Sequence, residues 1–181
     1  MKLNLEKKLD ENTQKFLHFI VKGSLQARAL IQDLLAYGRI GADELSIKLV
    51  NFESLLKEVL YELKLSVEES AAEITHDPLP QLMADRSQML QLFQNLMTNA
   101  IKYRAKHPLK IHISARKEKD QWLFSVKDNG IGIEAQYKDR VFQFFKRLDS
   151  EAEYPGTGIG LAICKKIVSV GRVKWIPDSK S

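Results

Sequence analysis

Asn95 and Asn99 lie four residues apart in the run Asn95-Leu96-Met97-Thr98-Asn99-Ala100-Ile101-Lys102-Tyr103. On a helix that spacing puts both amides on one face. An amide oxygen is a hard, neutral ligand suited to Mg²⁺, which keeps most of its shell for water and phosphate oxygens. Lys102, three residues past Asn99, is near enough to meet a phosphate. Taken alone, the pattern is common by chance, and a plainly solvated helix face is the favoured alternative.

Three further groups follow in order. Asp128-Asn129-Gly130-Ile131-Gly132-Ile133 comes directly after an alternating, strand-like segment. Its glycines let backbone approach a flat ligand without Cβ obstruction. An ionised Asp128 there can accept a hydrogen bond from an exocyclic amine such as that of adenine, and a plain Asp-Asn-Gly turn is an equal alternative. Arg140 and Arg147 flank Phe142, Phe144 and Phe145. The arginines could meet triphosphate oxygens, with a solvated surface of similar weight, while the aromatics fit a loop anchored to the core. Finally, Gly156-Thr157-Gly158-Ile159-Gly160-Leu161 leads into an apolar helical stretch. Exposed N–H groups at a helix start, with glycines for close approach, form an anion cradle. No Lys-Ser or Lys-Thr pair follows, so this is not a Walker loop. No strand leads directly into it, so it is not a dinucleotide fingerprint. Each group is weak alone; all four in this order are a strong signal.

The elements that must position these groups are legible as periodicities. Leu9 to Arg39 has no proline and predicts one long helix, with Leu9, Phe16, Ile20, Ala27, Leu30, Ile31 and Leu34 close to one stripe. Such a helix is hard to stabilise alone and is expected in a hairpin or a dimeric bundle. Gly38 and Gly41 end it, and residues 40–46 read as a linker. A second unit begins at Ile47 with a short strand to Val50, then an amphipathic helix from Phe52 to Glu69. Ala72 to Thr75 and Gln81 to Ala84 are strand candidates with the Asp77-Pro78 turn between them. Asp85, three residues before Gln88, resembles a capping box opening a helix to about Arg104. Lys110 to Arg116 and Trp122 to Lys127 alternate as half-buried strands joined by a turn at Glu118 to Gln121. A last helix runs from Ile159 to Val170. The order predicts an α+β fold: a two-layer sandwich with a mixed sheet covered on one face, preceded by one long helix.

Composition narrows the functional classes. The chain has 181 residues, 44% hydrophobic and 28% charged, the balance of a globular protein rather than a disordered one. Its net charge of +5 is spread from end to end among 23 acids, against a nucleic-acid patch. No run approaches the roughly 20 apolar residues that cross a bilayer. One cysteine, Cys164, excludes an internal disulfide and fits a cytoplasmic protein. Four scattered histidines make no zinc pattern.

With these motifs in this order, residues 47–170 resemble the catalytic and ATP-binding domain of sensor histidine kinases, within the wider group shared with gyrase, HSP90 and MutL. Asn95 to Tyr103 is similar to that family's N box, Asp128 to Gly132 to its G1 box, Val141 to Arg147 to its F box, and Gly156 to Gly160 to its G2 box. The resemblance implies a Bergerat-type ATP site. Asn99, helped by Asn95, would hold Mg²⁺, and Asp128 would accept the adenine amine. Ile101, Tyr103 and Ile131 would wall the base, and Lys102, Arg140 and Arg147 would reach phosphates. Gly130, Gly132 and the residues from Gly156 through Leu161 would line the nucleotide, with residues 134–155 as a mobile lid. The aromatic box between the glycine motifs points to histidine kinases over gyrase-like ATPases. The helix from Leu9 to Arg39 resembles the second helix of the dimerisation hairpin in phytochrome-like sensor kinases.

The resemblance divides the chain into a partial dimerisation and phosphotransfer helix, residues 1–41, and an ATP-binding catalytic unit, residues 47–181. It implies transfer of the ATP γ-phosphoryl group to a histidine on another chain, a response regulator as the downstream partner, and homodimerisation through residues 9–39. In the family the acceptor histidine sits on a first hairpin helix and the catalytic sheet ends in further strands. Here the chain starts after the former and gives one strand at most from Gly171 to Ile176, so it reads as truncated at both ends. Only His18 lies on the hairpin-like helix, on a face shared with Gln14, Lys15 and Lys22 and expected to be unreactive. The competing expectation is a non-catalytic, ATP-binding, dimerising regulator of a full-length kinase.

Overall fold

The computed structural model describes residues 10–42, 44–119, 121–138, 140–146, 156–170 and 173–175. Helix α1 (Glu11–Arg39) is capped by Asp10, whose carboxylate accepts the Thr13 N–H at 2.7 Å. It is followed by β1 (Ile47–Asn51), α2 (Phe52–Glu62), α3 (Lys64–Ser70), β2 (Glu73–His76), β3 (Gln81–Asp85) and α4 (Arg86–Lys102). Then come β4 (Lys110–Glu118), β5 (Gln121–Asp128), α5 (Gly160–Val170) and β6 (Val173–Trp175), with two short 3₁₀ turns, Ala135–Tyr137 and Arg140–Phe142, before α5.

The strands form two sheets. One is mixed, in the order β2-β4-β5-β6, with β4 and β5 antiparallel and the outer strands parallel to their neighbours. The other is a separate antiparallel ribbon of β1 and β3, in which Leu49 faces Met83. Helices α2, α4 and α5 bury one face each. Phe52 of α2, Phe93 of α4 and Phe124 of β5 meet with ring centroids 4.7 to 5.9 Å apart. Ile111 and Ile113 of β4 and Ile163 and Ile167 of α5 complete the interior. Along β4 the alternation puts Ile111 and Ile113 inside while Lys110 and His112 face outward, bonded to Glu73 and Thr75 of the parallel neighbour β2. This is the expected α+β arrangement of a long helix and a mixed sheet with covering helices.

Two local expectations are corrected. The helix expected from Phe52 to Glu69 is two helices, broken at Leu63, which has φ −90° and ψ 7°. Leu60, Leu63 and Val67, three and then four residues apart and so on one side, all pack against the core across the break. Strands β2 and β3 both form, yet they belong to different sheets. The segment between them crosses over, with the Asp77 N–H donating to Ile113 O and the Phe52 N–H to Pro80 O.

Helix α1 forms as expected, with most of its apolar stripe unpartnered among the described residues. Phe16 and Ile20 are 68% and 64% exposed, and Ile31 and Leu34 are also exposed. A second face at the C-terminal end, formed by Leu30, Tyr37 and Ile40, packs against the rest of the molecule instead. These positions advance by seven and then three residues, so they share a side of the helix. The helix therefore has two apolar faces, one used within the chain and one open.

Candidate functional site

Helix α4 carries the first set of groups. Asp85 opens it, accepting from the Ser87 and Gln88 N–H groups, as the spacing to Gln88 anticipates. Met89, Phe93, Leu96, Met97 and Ala100 are buried, which turns Asn95 and Asn99 to the half-buried flank beside α5. The Asn95 side chain lies against the first turn of α5, its Nδ2 3.4 Å from Gly160 O. Ile101 is 6% exposed and belongs to the core. Tyr103 caps the helix, its N–H donating to Asn99 O at 2.9 Å. Lys102 donates from Nζ to the Tyr103 hydroxyl at 2.9 Å and stands 4.5 Å from the centre of that ring.

The loop after β5 is laid directly on this helix end. The Ile131 N–H donates to Tyr103 O at 3.0 Å, and Asp128 Oδ1 accepts the Gly130 N–H at 2.8 Å. A Cβ on Gly130 would fall 2.4 Å from Tyr103 O, so only glycine fits there. Asn129 fixes the same corner from the other side: its Oδ1 accepts the Lys110 N–H at 2.8 Å and its Nδ2 donates to Pro108 O at 2.9 Å. Asp128 and Ile131 are exposed, and Gly132 follows with φ +74°. Asp128 uses one carboxylate oxygen to shape the turn; a carboxylate has two.

The second glycine loop comes back to α4. A Cβ on Gly156 would lie 2.7 Å from Lys102 Nζ, so that ammonium rests against the backbone of this loop. Thr157 Oγ1 accepts the Ile159 N–H at 3.3 Å, Gly158 has φ +73°, and Gly160 begins α5. Ile159 is fully buried and Leu161 packs on the core, which anchors the helix start. Arg140 is exposed in its 3₁₀ turn, 5.4 Å from the Tyr137 ring centre, and Arg147 lies outside the described residues.

Thr157 also donates to Asp33 Oδ2 of α1 at 2.5 Å, a partner that the apolar stripe of α1 does not reveal. Lys166 of α5 is likewise unannounced; its Nζ donates to Tyr37 O at 2.7 Å and sits 4.0 Å from the Tyr37 ring centre. Cys164, the single cysteine, is fully buried, and burial pushes its thiol up to about 12, so it is not a nucleophile.

The structure thus brings Asn95, Asn99, Lys102 and Tyr103 together with Asp128 to Gly132 and with Gly156 to Gly160. A carboxylate at a strand end, a glycine wall, an ammonium and a helix N-terminus suit a purine at one end and a polyphosphate at the other. Among the described residues no three His, Cys, Asp or Glu side chains converge to hold a metal ion. A cation here would take an amide oxygen and the phosphates themselves, the ligand set Mg²⁺ accepts.

Comparison with known proteins agrees with this geometry. Residues 84–181 match the family model described as histidine kinase-, DNA gyrase B-, and HSP90-like ATPase. The chain is 44% identical over 177 residues to cyanobacterial phytochrome A of Nostoc sp., covering 97% of this chain and 23% of that protein. It is 39% identical to the phytochrome-like protein Cph1 of Synechocystis sp., covering 93% of this chain and 22% of that one. The chain therefore spans under a quarter of the length of these relatives. Among solved structures, full-length ShkA in complex with AMPPNP superposes with a TM-score of 0.71 at 27% identity, over 90% of this chain and 35% of that one. The nucleotide-free catalytic domain of histidine kinase ThkA gives 0.60 at 25% identity, over 69% and 81%. The family model covers more than half of the chain and spans all four motif groups: the chain belongs to the histidine kinase-, DNA gyrase B- and HSP90-like ATPase family.

Proposed function

We propose that this chain binds Mg-ATP between α4 and α5 and delivers its γ-phosphoryl group to a histidine on another polypeptide. The observation that carries the reading is the meeting of three segments at one place: the end of α4, the Asp128–Gly132 turn laid on Tyr103 O, and the Gly156–Gly160 loop laid on Lys102. The free oxygen of Asp128 accepts the adenine amine. Tyr103 and Ile131 flank the base, and Ile101, assigned to the same wall, is instead packed in the core. The N–H groups at the start of α5 and the Lys102 ammonium hold the phosphates, with Arg140 and Arg147 approaching from the segment before α5. Asn99 supplies the amide oxygen for Mg²⁺, and Asn95 aligns the first turn of α5 through Gly160. Bound Mg²⁺ neutralises phosphate charge; the protein's own part is positioning and electrostatic stabilisation.

Within these 181 residues, His18 is a poor acceptor. It is exposed on α1, and among the described residues no carboxylate pairs with it to orient the ring or take a proton. The open apolar face of α1, with Phe16, Ile20 and Leu34, supports docking to a partner helix, as in a homodimer. A response regulator would draw on the phosphohistidine so formed. That same open face favours one second reading, an ATP-binding regulator that pairs with a full-length kinase without transferring phosphate.

Asn99→Ala separates the assignments. It should abolish the Mg²⁺ dependence of nucleotide binding while leaving metal-free affinity nearly unchanged; equal losses with and without Mg²⁺ would contradict the metal role. Incubation with γ-labelled ATP, Mg²⁺ and a polypeptide bearing an acceptor-histidine hairpin should give acid-labile label on that polypeptide. Tight ATP binding with no transfer selects the regulator.

A further inference from the structure

The hydroxyl of Thr157 is committed twice. It accepts the Ile159 N–H at 3.3 Å, which shapes the entry to α5, and it donates its only proton to Asp33 Oδ2 at 2.5 Å. A threonine hydroxyl has a single O–H donor. While Asp33 holds that proton, Thr157 has none to give a phosphate oxygen. The partner is also an anion, and it stands beside the loop that would receive a polyphosphate. A carboxylate next to an incoming phosphate is repelled at short range.

Asp33 is not an isolated surface contact. The same end of α1 is held to the catalytic unit by two more links. Lys166 Nζ donates to Tyr37 O at 2.7 Å, and the Tyr37 ring meets the edge of Phe144 with centroids 4.6 Å apart. Phe144 lies in the segment that leads from the first glycine loop to the second. Ile40, 4% exposed, closes the end of the contact. Asp33 and Tyr37 are four residues apart, on one side of the helix. The exposed apolar residues, Phe16, Ile20, Ile31 and Leu34 among them, continue around α1 from this docked side, so any movement of α1 toward an outside partner is transmitted to Asp33 along a rigid helix.

Resting on the nucleotide-binding reading above, we propose that Asp33 is an internal competitor for the phosphate loop, so that docking of α1 on α5 and binding of a nucleoside triphosphate oppose each other. With α1 docked, the Asp33 carboxylate occupies the Thr157 hydroxyl and lowers affinity for phosphate. A bound triphosphate takes the Thr157 proton, repels Asp33 and loosens the end of α1. Linkage makes the two effects equal: docking weakens the nucleotide by the factor by which the nucleotide weakens docking. The effect grows with the phosphate charge near the loop, so it is largest for ATP, smaller for ADP and absent for adenosine. A partner that pulls α1 away through its open face would in the same act free the loop for ATP.

The test compares the full chain with Asp33→Ala and Asp33→Asn. Both should bind Mg-ATP more tightly than the parent, by roughly 5- to 20-fold, the scale of ordinary site-to-site coupling. Asp33→Asn keeps an acceptor for Thr157 but no charge, so it should fall between the parent and Asp33→Ala. Affinity for adenosine should not change in either, and circular dichroism should match the parent. Spin labels on Gln26→Cys and Lys117→Cys, both at exposed positions, should move apart when AMPPNP is added to the parent. In the Asp33→Ala background the label separation should already be broadened without nucleotide. ATP affinity that is unchanged or weaker in Asp33→Ala overturns the proposal, as does a label distance that AMPPNP leaves unmoved. Failure of parent and variants alike to bind any nucleotide takes down the underlying reading with it, whereas good binding by the parent with no gain in the variants removes this inference alone.

Discussion

Gly130 and Tyr103 are in backbone contact: an added Cβ at position 130 would lie 2.4 Å from the Tyr103 carbonyl oxygen, itself the acceptor of the Ile131 N–H. The contact welds the loop after β5 to the end of α4. It thereby fixes Asp128 relative to Asn99 and Lys102, which come from a different part of the chain.

Gly130→Ala should therefore separate the two halves of the site. The clashing atom is backbone carbonyl, which has no alternative rotamer, so the loop must lift and break the hydrogen bond to Ile131. Overpacking of this sort costs about 1–3 kcal/mol, and the loop should yield before the core does. The expected outcome is ATP binding weaker by roughly 10-fold or more with only a small fall in melting temperature. Parent-like affinity by calorimetry would show that the weld does not set the site.

Asp128→Asn probes the base rather than the loop. An asparagine oxygen can still accept the Gly130 N–H, so the turn should survive. Its amide nitrogen then replaces the oxygen assigned to the adenine amine, and donor faces donor. Losing a charge-assisted bond predicts ATP affinity lower by roughly 10- to 100-fold with an unchanged circular dichroism spectrum. A guanine nucleotide should lose much less. Equal losses for both bases would take Asp128 out of base recognition.

Much of this site is legible in the sequence because its parts are local. The Asp85 to Gln88 spacing marks the start of α4, alternation from Lys110 to Lys127 marks β4 and β5, and the glycine runs mark the two loops. What the sequence hides is non-local. Nothing near Glu73 says that β2 pairs in parallel with Lys110 to Ile113 rather than turning back on β3. The break at Leu63 is marked by no proline or glycine. The second face of α1 is masked because Asp33, its polar member, interrupts the apolar pattern and finds its partner 124 positions away.

Phe52→Ala should be the most damaging single change to the fold. Phe52 is fully buried and its ring meets both Phe93 and Phe124, joining α2, α4 and β5. Truncation removes the transfer energy and leaves a cavity, together about 3–5 kcal/mol. Urea unfolding should show that loss, and nucleotide affinity of the folded fraction should be preserved. A loss below about 1 kcal/mol would mean that the three rings repack around the gap.

Asp85 gives the acid limb of stability a definite sign. Its carboxylate caps α4 and reaches the linker before β1. Oδ1 accepts Ser87 Oγ at 2.6 Å and the Gln88 N–H at 3.2 Å, and Oδ2 accepts the Ser46 N–H at 3.0 Å. Partial burial pushes its pKa up, but the hydrogen bonds from Ser87, Gln88 and Ser46 outweigh it and hold the folded value below the ordinary 3.8. A depressed folded pKa contributes stability that is present above the unfolded value and is lost as pH falls through the folded one. Asp85→Ala should cost about 1 kcal/mol near neutral pH, the usual scale for a lost N-cap. Asp85→Asn keeps a capping oxygen without a titrating group, so its stability should fall less than the parent's between about pH 5 and about pH 2. Urea melts at the two pH values make the comparison. Equal acid losses in the parent and in Asp85→Asn would place the origin of the acid sensitivity at other carboxylates, and Asp85 would then be a neutral cap only.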